Sequence, residues 1–457
     1  MLILQGPSTQ DVDRSEAFHE FARRRAKGEV LVPPLLLPKY ERRFYIRRTL
    51  REDHQFRIQN HPEGADAKFD KLAEDAFQFF RGTALLYYRD YAGTDAHLPT
   101  VFTIGDIHPE NFGVMPNEDG APFFGVNDFD EACFAPFSFD VKRGALGFWI
   151  ATELNGFKKK KRRKVVRAWV RGYVDGLIEF VQDDREKWHQ WRLDNSPDMI
   201  RDLLESAMET RKAFLKDKIN LDKEEFIPSD EILPHSKHIA DFQALVDNYV
   251  KENDIETKTR HDDFFNVKDV AVKKGSGTAS LGLNRYWVLI EGPEGGADRD
   301  IILELKQART SALRGLIPDD PDTDTDEAEQ IVKAQRVHLA GGDPFYGRAE
   351  IDGTPFLVRE RSPFKDDIDL EDLDVSEMKT YARICGKTLA QTHARSDEDT
   401  GIMEGDAEKR ILSSISPDIF VDDITRFAKT AAKRLYRDYK LFKEDHKLGA
   451  FTFVHSG

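Results

Sequence analysis

Two short apolar runs, each followed by an acidic loop, constrain most strongly what this chain can fold into. Residues 101–104 lead into Asp106, and residues 122–126 lead into Asp128. Apolar runs of this length, bounded by Gly, Pro, Asn and Asp, predict β-strands. An acid just past a strand lies where a rigid scaffold presents reactive side chains to solvent. The pattern therefore predicts a functional site at these two loops.

Divalent metal and phosphate explain such a pair of acids best. Magnesium prefers oxygen ligands and keeps several waters, so one or two side chains plus substrate phosphates hold it. Asp128 and the amide oxygen of Asn111 would supply those ligands. Asp106 would face the substrate hydroxyl as a base or orienting group. Phosphoryl transfer requires mainly such positioning, with cations near the developing negative charge.

The first loop, Gly-Asp-x-His-Pro-x-Asn over residues 105–111, resembles the catalytic loop of aminoglycoside and choline kinases, which have the protein-kinase-like fold. The resemblance implies catalytic roles for Asp106, His108 and Asn111. Ile104 departs from the pattern, because many of those kinases have histidine there.

The second loop, Asp-Phe-Asp over residues 128–130, resembles the metal-binding segment of the same kinases. This likeness implies a metal site formed by Asn111, Asp128 and Asp130, with Mg²⁺ and ATP as cofactors. Asp140 falls where those kinases carry an aspartate that braces the catalytic loop.

Over most of its length the chain more closely resembles an uncharacterised bacterial family, the domain of unknown function numbered 2252. That likeness is carried by residues 80–82, 105–113, 127–131, 140–143, 275–282, 305–308, 334–336 and 389–395.

A second informative region, residues 267–306, predicts three strands with a glycine-rich loop after the first. Glycines let backbone amides approach phosphate oxygens, and a lysine on a neighbouring strand can bridge two phosphates. The small lobe of a kinase begins in this way. The predicted phosphate-binding residues are Gly275, Ser276, Gly277, Thr278, Gly282 and Lys306.

A carboxylate that pairs with Lys306 is expected on the helix predicted over residues 328–339. Glu329 is the first candidate and Glu327 the second. The likeness to the bacterial family instead includes Gln335 and Arg336 in this helix, so the pairing stays open.

The order of the two regions predicts an unusual arrangement, because the glycine-rich segment follows the catalytic loop instead of preceding it. We predict an α+β, protein-kinase-like two-lobed fold that is circularly permuted, which surface termini and exposed loops tolerate. Its parts are an N-terminal arm (1–60), a helical catalytic lobe (61–262), a β-rich nucleotide-binding lobe (263–365) and C-terminal helices completing the helical lobe (366–457).

The composition limits the classes of binding partner that we expect. A net charge of −15 argues against a general binder of nucleic acid or anionic membranes. Two cysteines form neither a disulfide framework nor a zinc set. We expect a cytoplasmic protein with no signal peptide and no membrane span. Its expected partners are ATP and an unknown acceptor, and its oligomeric state is open.

The leading hypothesis is a phosphotransferase acting on a small-molecule or protein hydroxyl. Transfer of a nucleotidyl (AMP) group is a variant within the same fold, and a pseudokinase that binds nucleotide as a regulator is the alternative. A metal-dependent phosphoesterase would need later Gly-Asn-His and Gly-His-x-His clusters, and the sequence has neither.

Overall fold

The computed structural model of the protein describes residues 14–274, 282–317, 326–364 and 366–454. Its first part is helical, and apolar residues at helical spacing pack inward from each segment. The helices are α1 (Ser15–Ala26), α2 (Lys39–Asp53), α3 (Gln55–Asn60), α4 (Pro62–Glu74), α5 (Ala76–Arg81) and α6 (Ala84–Tyr91). The segment 62–91 thus consists of three consecutive helices, α4 to α6.

Four short strands follow and carry the acidic loops. They are β1 (Thr100–Thr103), β2 (Phe112–Pro116), β3 (Pro122–Val126) and β4 (Cys133–Pro136). β1 pairs antiparallel with β4, and β2 with β3. Thr103 lies opposite Cys133 and Phe112 opposite Val126, so both acidic loops leave these ladders at the same place. The two predicted strands are confirmed.

A helical core supports these ladders. It contains α7 (Ser138–Leu154), α8 (Lys159–Asp183), α13 (Val375–Ala394), α14 (Ala407–Ser414) and α15 (Pro417–Lys447). α8 and α13 approach backbone to backbone: a Cβ on Gly172 would lie 2.1 Å from the Arg383 carbonyl oxygen. A Cβ on Gly386 would lie 2.1 Å from the carbonyl oxygen of Trp169. Only glycine fits at this crossing.

The chain between α8 and α13 builds a six-stranded antiparallel sheet in the order β11-β12-β10-β9-β8-β7. The strands are β7 (Ile232–Pro234), β8 (Val267–Lys273), β9 (Arg285–Ile290), β10 (Ile301–Gln307), β11 (Gly347–Ile351) and β12 (Thr354–Glu360). The remaining elements are α9 (Asp198–Ser206), α10 (Arg211–Lys216), β5 (Ile219–Asn220), β6 (Glu225–Phe226), α11 (Ile239–Glu252) and α12 (Glu327–His338). The strands predicted in residues 267–306 are confirmed.

Alternation along β10 decides which side chains reach the site. Leu303 and Leu305 pack into the core formed with α11, whereas Ile302 packs with α10 on the opposite face. Successive side chains of a strand point to opposite faces, so Glu304 and Lys306 share the face of Ile302.

The mixture of helices with an antiparallel sheet confirms the α+β class. The kinase-like two-lobed arrangement and its permutation stay predictions. Among the helices in the described ranges, each is too short or too polar to cross a lipid bilayer.

Candidate functional site

The start of the first acidic loop is held by a buried carboxylate. Asp140, on α7, accepts hydrogen bonds from the backbone N–H groups of Ile104 (2.7 Å) and Gly105 (3.0 Å). The Tyr173 hydroxyl lies 2.8 Å from His393 Nδ1, and His393 Nε2 lies 3.1 Å from Asp140. With Tyr173 donating to Nδ1, His393 donates from Nε2 to Asp140. The network joins α7, α8 and α13 to the loop that carries Asp106.

Gly105 makes the corner through which the chain reaches Asp106. Its φ is +86°, and a Cβ there would lie 2.0 Å from the carbonyl oxygen of Glu131. Both the backbone conformation and the close approach require glycine. The corner places the first loop directly against the second.

Asp106 is held by an arginine from α7. Nε of Arg143 donates to Asp106 Oδ1 over 2.7 Å, and Nη2 contacts the same oxygen. The Arg143 side chain is fully buried, lying 4.4 Å from the ring centroid of Phe80, whereas the Asp106 side chain is 20% exposed. The accessible Asp106 carboxylate is therefore fixed in direction, with Oδ2 free of the Arg143 contact.

Asn111 and His108 have different positions in this loop. The Asn111 side-chain NH₂ donates to the carbonyl oxygen of Asp106, so the amide oxygen is not used in this hydrogen bond, and Asn111 lines the large cavity described below. His108 is buried, and its Nδ1 accepts the Glu110 N–H over 3.2 Å. Burial, with Arg81 nearby, lowers the pKa of His108 well below its usual value. Because His108 lies outside the lining of both cavities described below, it acts in this structure as a brace for the loop.

The second acidic loop meets the lysine predicted in the sheet. Lys306 Nζ contacts Asp130 Oδ2, although the two residues lie 176 positions apart in the chain. Burial alone would raise the pKa of Asp130, but the Lys306 ammonium outweighs it and lowers that pKa. Burial and the neighbouring Asp130 raise the pKa of Asp128. The Lys306 ammonium thus acts on two half-buried carboxylates, and an additional cation would relieve the remaining repulsion between them.

A cavity of about 310 Å³ opens beside this contact. Asn111 and Asp128 line it from the acidic loops, Lys306 and Arg359 from the sheet, and Gln335 from α12. Its volume is within the range of small-molecule pockets, and it combines apolar walls with convergent polar groups.

A buried carboxylate fixes the sheet side of this cavity. Glu304 accepts hydrogen bonds from Arg359 Nη2 (2.8 Å) and Arg285 Nη1 (3.3 Å). Burial would raise the pKa of Glu304, but Arg359 and Arg285 outweigh it and hold it well below its usual value. The two guanidinium groups are consequently pre-positioned at the cavity wall.

A second, smaller cavity of about 20 Å³ is also lined by residues of both acidic loops. Its lining contains five carboxylates and four cationic side chains, those of Asp53, Asp106, Asp128, Asp130 and Glu131 and of Arg57, Lys68, Arg81 and Arg309. Arg81 and Asp128 line both cavities, so the two spaces adjoin at these residues.

The predicted glycine-rich loop is only partly described. Gly275, Ser276, Gly277 and Thr278 lie outside the described residues. Gly282 has a φ of +76° and lies against the N-terminal helices: a Cβ on Gly64 would be 2.7 Å from its Cα. Gly282 is outside the lining of both cavities.

Glu329 does not lie beside Lys306. It is exposed on the outer face of α12, where its N–H donates to the Asp326 cap over 2.7 Å. The polar residues that α12 turns inward include Gln330 and Gln335. The carboxylate that contacts Lys306 is that of Asp130, so the expected pairing of Lys306 with Glu329 is corrected.

Several residues of the site were missed by sequence reasoning. Arg143 lies three positions after Asp140, one helical turn along α7, and this spacing could have indicated it. Arg57 and Lys68 belong to helices without a motif, and Arg309 follows β10. Only tertiary packing brings these cations to the acidic loops.

Asp128 and Asn111 are suited to a magnesium ion that would take most of its ligands from substrate phosphates and water. Within the part of the chain that the structure describes, no cluster of three or more His, Cys, Asp or Glu side chains is placed to hold a metal. Magnesium needs only one or two protein ligands when substrate phosphates and waters supply the others. Asp128 and Asn111, which both line the large cavity, match that requirement.

Together, the fold and the site define an α+β protein with a cleft between acidic loops and an antiparallel sheet. The chain belongs to the family described as uncharacterized proteins conserved in bacteria (DUF2252), whose model matches residues 60–445. Comparison with curated proteins and with solved structures gave no match.

Proposed function

We propose that this protein is an ATP- and magnesium-dependent phosphotransferase that acts on a hydroxyl group of its acceptor. The contact between Lys306 and Asp130 carries the proposal. It joins β10, the strand that carries Lys306, to the second acidic loop at the wall of a cavity large enough for a small-molecule ligand. Phosphoryl transfer requires this combination of a fixed cation, metal-binding oxygens and a positioned acceptor group.

Each residue has a role that follows from its place. Lys306 and the guanidinium of Arg359 face the large cavity, where they would contact nucleotide phosphates. Asp128 and Asn111 would hold Mg²⁺, which supplies charge neutralisation for the phosphates when bound. Asp106, at the smaller cavity, would orient the acceptor hydroxyl.

The transfer balances with these parts alone. The acceptor oxygen forms a bond to the γ-phosphorus while the bond from that phosphorus to the bridging oxygen breaks, and ADP leaves. The hydroxyl proton passes to Asp106 Oδ2 or to solvent. The Arg143 ion pair keeps Asp106 aligned, which matters more than strong basicity when the transition state is loose.

The proposal is tested by thermal unfolding with ATP, ADP and AMP, each with and without Mg²⁺. A ligand that binds only the folded protein raises its melting temperature by mass action. We expect a magnesium-dependent rise with ATP that is lost in Asp128→Asn. Asp119→Asn is the matched control, because Asp119 is exposed in the neighbouring β2–β3 turn.

Analysis of the nucleotide products identifies the reaction. ADP formation supports phosphoryl transfer, whereas pyrophosphate release indicates transfer of AMP. Binding without turnover would indicate a regulator. No stabilisation by any of the three nucleotides would refute the proposal.

A further inference from the structure

A short segment between α1 and α2 exposes several large apolar side chains to solvent. Residues 30–37 read Val-Leu-Val-Pro-Pro-Leu-Leu-Leu and contain no polar side chain. Within them Val30 is 100% exposed, Val32 is 73% exposed and Leu36 is 62% exposed. Single exposed apolar residues are normal on a protein surface, whereas several together mark an interaction site. We call residues 30–37 the apolar segment.

Two aromatic side chains continue this exposed surface onto α2. Tyr40 is 70% exposed and Phe44 is 64% exposed, and their spacing of four residues puts them on one face of the helix. The Lys39 ammonium lies 6.0 Å from the ring centroid of Tyr40, and the Arg47 guanidinium lies 4.9 Å from that of Phe44. An aromatic ring beside a cation suits a boundary between an apolar phase and water.

A cavity of about 250 Å³ lies where the apolar segment meets α15. Leu35 and Leu37 line it from the apolar segment, and Leu441 lines it from α15. Its charged lining consists of five cationic and two acidic side chains, those of Lys39, Arg42, Arg434, Arg437 and Lys440 and of Asp438 and Glu444. The cavity therefore combines apolar walls with an excess of positive charge.

The acids of this region fasten α2 to its neighbours. Asp438 forms an ion pair with Arg42 over 2.7 Å, and Arg42 also pairs with Asp90 of α6 over 2.6 Å. A carboxylate oxygen of Glu444 lies 3.8 Å from Nη1 of Arg43. Both acids of the cavity lining thus have cationic partners on α2.

A stripe of cations runs along one face of α15. Lys429, Lys433, Arg437 and Lys440 are separated by three or four residues and so share one side of the helix. The last three are exposed, and none of the four forms a salt bridge with another residue of the described ranges. Like charges at this spacing destabilise a helix, and an anion bound from outside would remove that cost.

The beginning of α8 extends this cationic face. Residues 158–164 are seven consecutive lysines and arginines, of which Arg162 pairs with Glu153. The ammonium of Lys159 is the main cause that lowers the pKa of Lys429, so like charges of α8 and α15 lie close together at the surface. The face is thus cationic although the whole chain has a net charge of −15.

We propose that this face binds the surface of an anionic phospholipid bilayer. The apolar segment, with Tyr40 and Phe44, would enter the boundary between headgroups and acyl chains, and the stripe on α15 would contact lipid phosphates. The cavity would receive one headgroup, with its phosphate beside Arg437 and Lys440. The protein would lie on the bilayer without crossing it. This inference goes beyond the phosphotransferase proposal and does not depend on it.

Single-stranded nucleic acid fits the same face less well. Its phosphates would contact the cations, and its bases could stack on Tyr40 and Phe44. The aliphatic side chains of Val30, Val32 and Leu36 would then stay exposed, whereas a bilayer would bury them. The apolar segment therefore favours the lipid surface.

The test is co-sedimentation of the purified protein with phosphatidylcholine vesicles that either contain or lack phosphatidylglycerol, in the absence of nucleotide. We expect the protein to sediment with the vesicles that contain phosphatidylglycerol and to stay in solution with phosphatidylcholine alone. Added salt should weaken the binding, because it screens the attraction between the cationic face and the anionic headgroups.

Two variants test the cations and the apolar segment separately. Each cation near an anionic bilayer contributes about fivefold in affinity, so Arg437→Gln combined with Lys440→Gln should raise the half-saturating lipid concentration about thirtyfold. Leu36→Ser should raise it about fivefold through the loss of apolar burial. All three side chains are exposed, so the fold should tolerate these changes.

Matched controls come from the helices that pack on the antiparallel sheet. Lys251→Gln combined with Lys258→Gln removes the same charge from exposed positions at and after the end of α11. Met208→Ser removes an apolar side chain that is 55% exposed just before α10. We expect both controls to bind vesicles like the native protein.

The possible results decide the proposal without reference to turnover. It is overturned if vesicles with phosphatidylglycerol do not bind the protein, or if neither Arg437→Gln with Lys440→Gln nor Leu36→Ser weakens their binding. Equal losses in the matched controls also overturn it, because the location of the charge and of the apolar side chain would then not matter. Binding of a single-stranded oligonucleotide that requires Arg437 and Lys440, without binding to vesicles, would identify a nucleic-acid surface instead.

Discussion

The carboxylate of Asp140 holds the corner that presents Asp106, so Asp140→Asn is a direct perturbation of the site that nearly preserves side-chain shape. The carboxylate accepts two backbone N–H groups, those of Ile104 and Gly105, with one oxygen each. Asparagine has one acceptor oxygen, so one buried N–H would face an amide NH₂ group. A buried donor without an acceptor costs about 1–3 kcal/mol, and the surviving bond loses its charge assistance.

We therefore expect Asp140→Asn to lower the free energy of unfolding by about 2–4 kcal/mol. Urea unfolding followed by circular dichroism measures this change. The corner would also relax, so turnover should fall more than the affinity for Mg-ATP. The large cavity is bounded by other residues, which explains why nucleotide binding should largely survive.

Asp418→Asn is the control for Asp140→Asn, because the Asp418 side chain is 88% exposed. Its effect on the free energy of unfolding should stay within about 0.5 kcal/mol. If the free energy of unfolding of Asp140→Asn also stayed within that margin of the native protein's value, the bracing role that we derive from the hydrogen bonds of Asp140 would be refuted.

Three further predictions concern packing, pH and charge. Gly386→Ala should lower the free energy of unfolding by at least about 2 kcal/mol in urea unfolding, because the new methyl group would meet the backbone of α8. Burial raises the pKa of Glu186 and Glu408 to about 7, so these carboxyls stabilise the fold fully below pH about 4.5 and lose that effect as the pH rises through 7. Glu186→Gln should accordingly raise the free energy of unfolding by about 1–2 kcal/mol at pH 8 and change it little at pH 4. Urea unfolding at both pH values measures this difference. Equal effects at the two pH values would contradict the raised pKa of Glu186. Lys306→Met should weaken Mg-ATP binding about tenfold or more in calorimetry, because Asp128 and Asp130 lose their shared ammonium; unchanged affinity would remove Lys306 from the nucleotide site.

The acidic loops and the lysine strand could be predicted because their signals are local. Each short apolar run ends in a turn-forming acidic segment, and these segments meet in the structure through antiparallel pairing. The resemblance of residues 267–306 to the small lobe of a kinase predicted that Lys306 lies near the acidic loops, although these segments are distant in the sequence. Its contact with Asp130 required the tertiary structure.

The outward position of Glu329 follows from a local signal in the sequence. The buried positions of α12 include Ala328, Ile331, Val332 and Gln335, which follow helical spacing. That periodicity turns residue 329 outward, and the sequence pattern alone is sufficient to exclude Glu329 as a partner of Lys306. By contrast, no periodicity could have placed Arg57 and Lys68 at the site, because the packing of the N-terminal helices decides it.

The residues that meet at the site are far apart in the sequence, and this separation determines when the site can form during synthesis. The contact between Lys306 and Asp130 spans 176 residues, and the contact of His393 with Asp140 spans 253. Contacts of such separation require large loop closures and form slowly. During synthesis both acidic loops would emerge long before Lys306 and His393. The ribosome-bound chain would therefore have no complete site until α13 has been made and docked.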